Sequence, residues 1–445
     1  MSPPPTDPLS LAERSLRAVW HPCTQMKLHE EAPPLAIVGA DGAWLEAEDG
    51  TRCLDAVSSW WVNLFGHGQP HIRAAIHAQL DRLEHVMLAG FTHEPVVRLS
   101  ERLGALSGLG HAHFAADGAS AVEIALKMSA HHWRNGGQPG KHRFVALAGG
   151  YHGETLGALA VTDIALFRDT YAALLKGCTV LPSPDWRGAG AGEDARAFAR
   201  RQALTLEAHL AAHHASTAAL IVEPLIQCAG GMAMHHAEYL RLARELCTLY
   251  GVHLICDEIA VGFGRTGSLF AHQQASIRPD FLCLSKGLSG GFLPLAVTLT
   301  TDAVYQAFYH HDLRRGFLHS HSYSGNPLAC AAANAVLDLF EASDVMAANR
   351  ALAARVDDAA EALRLHPRVR NWRRTGMVWA FELDATGAAE AQPLALRIAR
   401  AALQRRLLLR PIGDTVYWMP PYCLDDEAID VLVEGTLGTL EEVCG

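Results

Sequence analysis

What this chain lacks narrows its function before any motif is read. No apolar run reaches the roughly 20 residues needed to span a bilayer. The first residues, with Pro3, Pro4, Pro5 and Asp7, show no basic segment followed by an apolar stretch, so no secretory leader is read there and a cytoplasmic location is expected. No C-x-x-C pair occurs among the ten cysteines. They stand singly in apolar contexts, as Cys256 and Cys283 do, and read as reduced core thiols. No H-E-x-x-H motif accompanies the histidine pairs His131-His132 and His213-His214 or the run His319-Ser320-His321, so no metal is expected. Long basic runs are missing too, and 47 acidic groups outnumber 37 basic ones. That balance argues against nucleic acid and an anionic membrane as partners and favours a small-molecule substrate. Repeats and low-complexity tracts are absent. No G-x-G-x-x-G opens a helix after a strand, which removes a Rossmann dehydrogenase.

What is present is a chain of 445 residues, half of them apolar, enough for a large core and more than one domain. From about residue 112 to 300, short apolar runs at Phe144 to Leu147, Leu220 to Glu223, His253 to Cys256, Phe281 to Leu284 and Ala296 to Leu299 alternate with amphipathic stretches. Ala119 to Trp133, Ala195 to His213 and Ala237 to Tyr250 have helical spacing, and Gly251 follows the last as a C-cap glycine would. The pattern predicts an α/β fold with a mostly parallel sheet and active residues at the carboxyl ends of its strands. Asp41-Gly42 between Ala36 to Val38 and Ala43 to Leu45 signals a hairpin. Arg350 to Leu363 and Leu394 to Arg405 read as helices and Met377 to Leu383 as a strand. Residues 66–334 are expected to form the large domain, with a linker-like patch at Arg187 to Gly192, and residues 1–65 and 335–445 to join into a smaller α+β domain.

Lys286 follows the apolar run Phe281 to Leu284 and precedes a glycine-bearing turn. A lysine desolvated in such a crevice has a lowered pKa and can form a Schiff base with an aldehyde; the alternative is a lysine that merely snorkels at a strand end. Some thirty residues upstream, Ile255-Cys256-Asp257-Glu258 ends another apolar strand in acid. In a pyridoxal enzyme a carboxylate must keep the pyridine nitrogen protonated, whereas a lone aspartate can equally cap a turn. Gly262-Phe263-Gly264-Arg265-Thr266-Gly267 is too rich in glycine for a helix interior and reads as a loop near the same strand end. Asp117-Gly118-Ala119-Ser120 opens a helix whose exposed N–H groups can cradle a phosphate. Tyr151-His152-Gly153-Glu154 follows a strand and offers a ring that could stack on a planar cofactor or fill core.

In combination these stretches resemble the class III pyridoxal-phosphate aminotransferases over nearly the whole chain. Trp20-His21-Pro22, Ser58-Ser59-Trp60-Trp61 and Leu409-Arg410-Pro411-Ile412-Gly413 followed by Met419-Pro420-Pro421 are similar to the branch of that class serving biotin biosynthesis. The resemblance implies an aspartate-aminotransferase-like fold, bound pyridoxal 5′-phosphate and a homodimer with shared active sites. By position it makes Lys286 the Schiff-base lysine, Asp257 the partner of the ring nitrogen and Tyr151 a contact of ring and substrate. Gly118 and Ala119 would hold the phosphate, and Ser320, His321 and Ser322 would cross from the neighbouring subunit, Ser320 toward substrate and the other two toward the cofactor. Trp60 and Trp61 would line an aliphatic channel, Arg410 would receive the keto acid's carboxylate, and Arg265 and Cys23 would also stand among the substrate contacts.

The implied reaction aminates 8-amino-7-oxononanoate to 7,8-diaminononanoate, with S-adenosylmethionine as donor. Cys23 stands where many relatives carry an aromatic, and His321-Ser322 where they carry Pro-Thr. Lysine as donor, or another ω-amino acid or diamine reaction of the class, are the alternatives. Asp414 is an alternative, structural partner for Arg410.

Overall fold

The computed structural model describes residues 9–384 and 392–444. At its centre lies a seven-stranded sheet in the spatial order His111–Ala115, Ala296–Thr300, Phe281–Leu284, His253–Asp257, Thr217–Val222, Arg143–Leu147 and Thr179–Leu181. Ala296–Thr300 runs antiparallel to both neighbours, and the other adjacent pairs are parallel. Every residue of Thr217–Val222 and His253–Asp257 is buried, because a parallel sheet is covered by helices on both faces. That is why these strands read as continuous apolar runs and not as alternation.

The crossover helices Gly118–Asn135, Ala195–His213 and Ala237–Leu249 each start on a side-chain cap. Asp117 accepts the Ser120 N–H at 2.9 Å, Asp194 that of Ala197 at 2.7 Å, and His236 that of Glu238 at 3.0 Å. Gly251 takes a φ of 61° just past the third helix, the left-handed conformation expected of a C-cap glycine. Because the parallel strands share one direction, Asp257 and the Ser285-Lys286 pair arrive together at the sheet's carboxyl edge, beside the start of Gly118–Asn135.

Residues from both chain ends share a second core. The hairpin Ile37–Asp41 and Trp44–Ala47 continues into Arg52–Asp55, and Leu407–Leu408 adds to that strand in parallel, Leu407 opposite Leu54 and Leu408 opposite Asp55. Val369–Thr375, Val378–Leu383 and Thr415–Trp418 form an antiparallel sheet. Trp44, Leu54, Trp379, Phe381, Trp418 and Leu432 share one core there.

Several elements differ from the sequence expectation for identifiable reasons. The Arg350 to Leu363 helix begins at Val345, because the Asp344 side chain caps Ala347 at 2.8 Å, and it breaks into Val345–Ala359 and Glu361–Arg364. His111–Ala115 was not anticipated because its histidines disguise a strand, and Thr179–Leu181 because it has only three residues. Residues Gly262 to Gly267 do carry the dinucleotide glycine spacing, but they form a run of turns and open no helix. Among the described residues no helix is long and apolar enough to cross a membrane.

The Val369–Thr375/Val378–Leu383 turn docks on that glycine loop. Met377 N–H donates to the Arg265 carbonyl at 2.8 Å. Gly376 has a φ of 59°, and a Cβ there would fall on the Arg265 carbonyl oxygen and the Thr266 carbonyl carbon. Gly376→Ala therefore meets both a disfavoured dihedral and immovable backbone, and should cost about 2 kcal/mol or more. Thermal unfolding checks this: the melting temperature should fall by several degrees, and an unchanged value would refute the docking argument.

Candidate active site

A cavity of about 280 Å³ opens at the carboxyl edge of the large sheet, lined among others by Lys286, Asp257, Tyr151, Gly118, Ala119 and Trp61. Ser285 leaves the strand Phe281–Leu284 with its hydroxyl donated to the Leu295 carbonyl at 2.8 Å. Lys286 then turns sharply with a φ of 46°, which aims its side chain into the cavity, Nζ lying 4.6 Å from the Trp61 ring centre. Burial lowers the Lys286 pKa from the ordinary 10.5, against the opposing pull of Cys228, Asp257 and Glu223. The amine is thus biased toward its neutral, nucleophilic form.

Asp257 is buried at the end of the neighbouring strand. A carboxylate can only accept, so His152 Nδ1–H donates to Asp257 Oδ2 at 2.7 Å, and Ile259 N–H donates to Oδ1 at 3.1 Å. His152 is in turn fixed by its own N–H, donated to Thr162 Oγ1 at 2.9 Å. These bonds hold a charged acceptor at a defined place in the floor of the cavity.

One wall is the start of Gly118–Asn135, where the N–H groups of Gly118 and Ala119 precede the first intrahelical bond. The loop after Tyr151 presses directly on it: Gly153, at a φ of 123°, leaves no room for a Cβ against Ala119. A Cβ at Gly118 would stand 3.0 Å from two Ile259 carbons. The Tyr151 hydroxyl donates to Glu154 at 2.9 Å, and burial and that carboxylate raise its pKa, keeping the phenol protonated.

This donor set fits pyridoxal phosphate. It combines a helix start for a phosphate, a buried carboxylate for a pyridine nitrogen, an aromatic for the ring and a desolvated amine for the aldehyde.

The substrate contacts expected from sequence separate in the structure. Trp61 lines the cavity and donates its indole N–H to the Tyr417 hydroxyl at 3.0 Å. Trp60 is exposed, beneath Arg410, whose Cζ lies 4.3 Å from the indole centre; such an exposed stack contributes about 0.5–1 kcal/mol. Arg410 is itself exposed, following the buried Leu409. Among the described residues Arg410 makes no ion pair, with Asp414 or any other acid.

Arg265 is not brought to the cavity. It is buried, with its guanidinium donated to the carbonyls of Pro420 at 2.6 Å and Asn63 at 2.7 Å. There it braces the loops behind the site. Cys23 is exposed and does not line the cavity, though it stands close enough to Tyr151 to act electrostatically on the phenol. Ser320, His321 and Ser322 do not line this chain's own cavity. His319 contacts Lys127 at 2.7 Å and His321 at 3.1 Å, and the Ser322 carbonyl accepts from His85 at 2.8 Å.

Among the cavity residues to which the sequence reading gave no role are His152, Glu223 and Cys228. Glu223 accepts the N–H groups of Tyr151 and Cys228, both at 2.8 Å, and so ties two walls together. Burial pushes its carboxyl up to about 7. The signal for Glu223 was available, since it ends an apolar strand run as Asp257 does. His152 adjoins Tyr151, but its service to Asp257 depends on a pairing 105 positions apart.

The family model for class III aminotransferases matches residues 26–438. The adenosylmethionine-8-amino-7-oxononanoate aminotransferase of Helicobacter pylori is 43% identical, the alignment covering 98% of each chain. The enzyme of the same name from Synechococcus elongatus is 41% identical over 96% of this chain and 99% of its own. Among solved structures, a pyridoxal-phosphate-bound amine transaminase from an uncultivated Pseudomonas species superposes with a TM-score of 0.89 at 33% identity, covering 96% of this chain and 99% of its own. An adenosylmethionine-8-amino-7-oxononanoate aminotransferase from Methanocaldococcus jannaschii has the same TM-score at 31% identity, covering 97% and 98%. With a strand-end lysine, a buried aspartate and a helix start converging on one cavity, and relatives of this kind along its full length, the chain belongs to the class III aminotransferases.

Proposed function

We propose that this chain aminates 8-amino-7-oxononanoate to 7,8-diaminononanoate, taking the amino group from S-adenosylmethionine with pyridoxal 5′-phosphate as cofactor. The relatives named for that reaction support it, and the observation that carries it is the Trp60–Arg410 stack. A guanidinium held in place by an indole, with no acid paired to it among the described residues, is free to accept a substrate carboxylate bidentately. The exposed Cys23 beside Tyr151, in place of an aromatic, is what favours lysine as the alternative donor.

When bound, the cofactor supplies an aldehyde that joins amines and a ring that stores an electron pair. Gly118 and Ala119 would hold its phosphate through their N–H groups, and Tyr151 would contact its ring. Asp257, anchored by His152, would keep a proton at the ring nitrogen. Lys286 Nζ, its pKa lowered by burial, would take the proton from the donor carbon and return one to the acceptor carbon in the second half. The two substrates use one site in turn, so ping-pong kinetics follow.

The large lobe, taken as residues 66–334, carries this machinery, while Trp60 and Arg410 come from the lobe built by 1–65 and 335–445. The segment Ser320 to Ser322, which does not line its own cavity, is assigned to the site of a second copy in a homodimer with shared active sites.

Asp257→Asn removes the charge that favours a protonated ring nitrogen, and each donor half-reaction should slow by more than about tenfold, roughly 1.4 kcal/mol of barrier. Stopped-flow absorbance of the cofactor measures this, and a smaller loss would strip Asp257 of its role.

Arg410→Ala should weaken the acceptor's apparent binding by about ten- to a hundredfold, the worth of a charge-assisted contact, while sparing the donor half-reaction. Arg410→Lys should recover only part, lacking the planar fork. Equal losses in both half-reactions with a lowered melting temperature would make Arg410 a brace of the small lobe and favour another amine reaction of the class.

A further inference from the structure

The paired tryptophans sit on backbone that L-residues avoid. Ser58, Ser59, Trp60 and Trp61 have φ values of 50°, 46°, 76° and 72°, one turn of left-handed helix built without glycine, in which each Cβ crowds a carbonyl oxygen. Such a run persists only where its surroundings over-determine it. Asp55, completely buried, is the principal fixing group. Its Oδ1 accepts the Ser59 backbone N–H at 2.8 Å, and its Oδ2 accepts the Ser59 hydroxyl at 2.7 Å and His67 Nε2–H at 3.0 Å. The Ser58 hydroxyl adds a bond to the Met419 carbonyl at 2.7 Å.

The turn gives its two indoles separate duties. Trp61 is buried, tied to Tyr417 and set against Lys286. Trp60 is 40% exposed, and among the described residues its indole N–H has no hydrogen-bond partner, so no hydrogen bond of its own side chain helps the backbone and the Arg410 stack to position it. Asp55 also sits opposite Leu408 in the parallel pairing of Arg52–Asp55 with Leu407–Leu408, two residues before Arg410. One buried carboxylate thus governs the turn that carries Trp60 while its own strand registers the segment that carries Arg410.

We propose that Asp55 is a positioning residue for acceptor selection: it locks the left-handed turn so that Trp60 stacks under Arg410 and holds the guanidinium ready for a substrate carboxylate. The proposal rests on the reading of Arg410 given above. Loosening the turn releases Trp60 first, because Trp61 keeps its bond to Tyr417 and its burial.

Asp55→Asn preserves size and one acceptor oxygen but turns an NH2 toward the Ser59 hydroxyl and His67. The acceptor KM should rise about five- to tenfold, with kcat and the donor half-reaction each within about twofold of the parent protein. Adding Ser59→Gly supplies a residue that takes the left-handed conformation at little steric cost, and should bring the acceptor KM back to within about twofold. A purely structural role would lower both half-reactions and the melting temperature together and would gain nothing from glycine. Equal losses, an unmoved KM or no recovery in the double variant would each overturn the proposal. If the parent protein does not aminate 8-amino-7-oxononanoate, the proposed function falls by itself. Asp55 is then tested with the carboxylate-bearing acceptor that the parent does use, against a carboxylate-free acceptor of equal length whose KM should not move.

Discussion

The site depends on keeping one amine out of water while surrounding it with groups that would rather see it charged. Burial lowers the Lys286 pKa, and Cys228, Asp257 and Glu223 oppose that shift. The balance holds because the acids are restrained. Asp257 is engaged by His152 and the Ile259 N–H, and the Glu223 carboxyl is pushed up to about 7. Below that value Glu223 is neutral and exerts no pull on the ammonium; above it, ionisation of Glu223 favours the charged lysine. Two carboxyl groups at neighbouring strand ends therefore play different parts, Asp257 anchored by its two hydrogen bonds, Glu223 poised near neutrality and holding two walls of the cavity by backbone bonds.

The fold makes this arrangement by simple means. Parallel strands bring their carboxyl ends to one edge, and the helix beginning at Gly118 directs its free N–H groups to the same place. Trp61 against Lys286, Trp60 against Arg410, and the Gly376 turn docked on the loop that contains Arg265 add to it from the side. A guanidinium buried without a carboxylate, as in Arg265, is costly. Two carbonyl acceptors and the Tyr422 ring 5.1 Å away offset part of that cost, while its Nε has no hydrogen-bond partner among the described residues.

Chemistry lying on single short segments was legible in the sequence. Lys286, Asp257, Gly118 and Tyr151 each stand where an apolar strand or a capped helix begins or ends, and the structure brings all four to one cavity. Relations across the chain were not legible. Arg265 stands among the substrate contacts by resemblance alone, and only the carbonyls of Asn63 and Pro420 reveal its bracing role. The stack of Arg410 on Trp60 joins two segments far apart in the chain and has no local signature. The left-handed turn at Ser58 to Trp61 has no local signal at all, since nothing in Ser-Ser-Trp-Trp suggests positive φ.

The central claim is that Lys286 is the reactive amine. Lys141 is a fair internal control, because it is also buried with a lowered pKa but faces the Trp133 ring and the Gly251 carbonyl and does not line the cavity of Lys286. Borohydride reduction of the protein purified with pyridoxal 5′-phosphate, followed by peptide mass mapping, decides the matter. The account predicts a pyridoxyl adduct on the peptide containing Lys286 and on no other lysine; an adduct on Lys141, or none at Lys286, would contradict it.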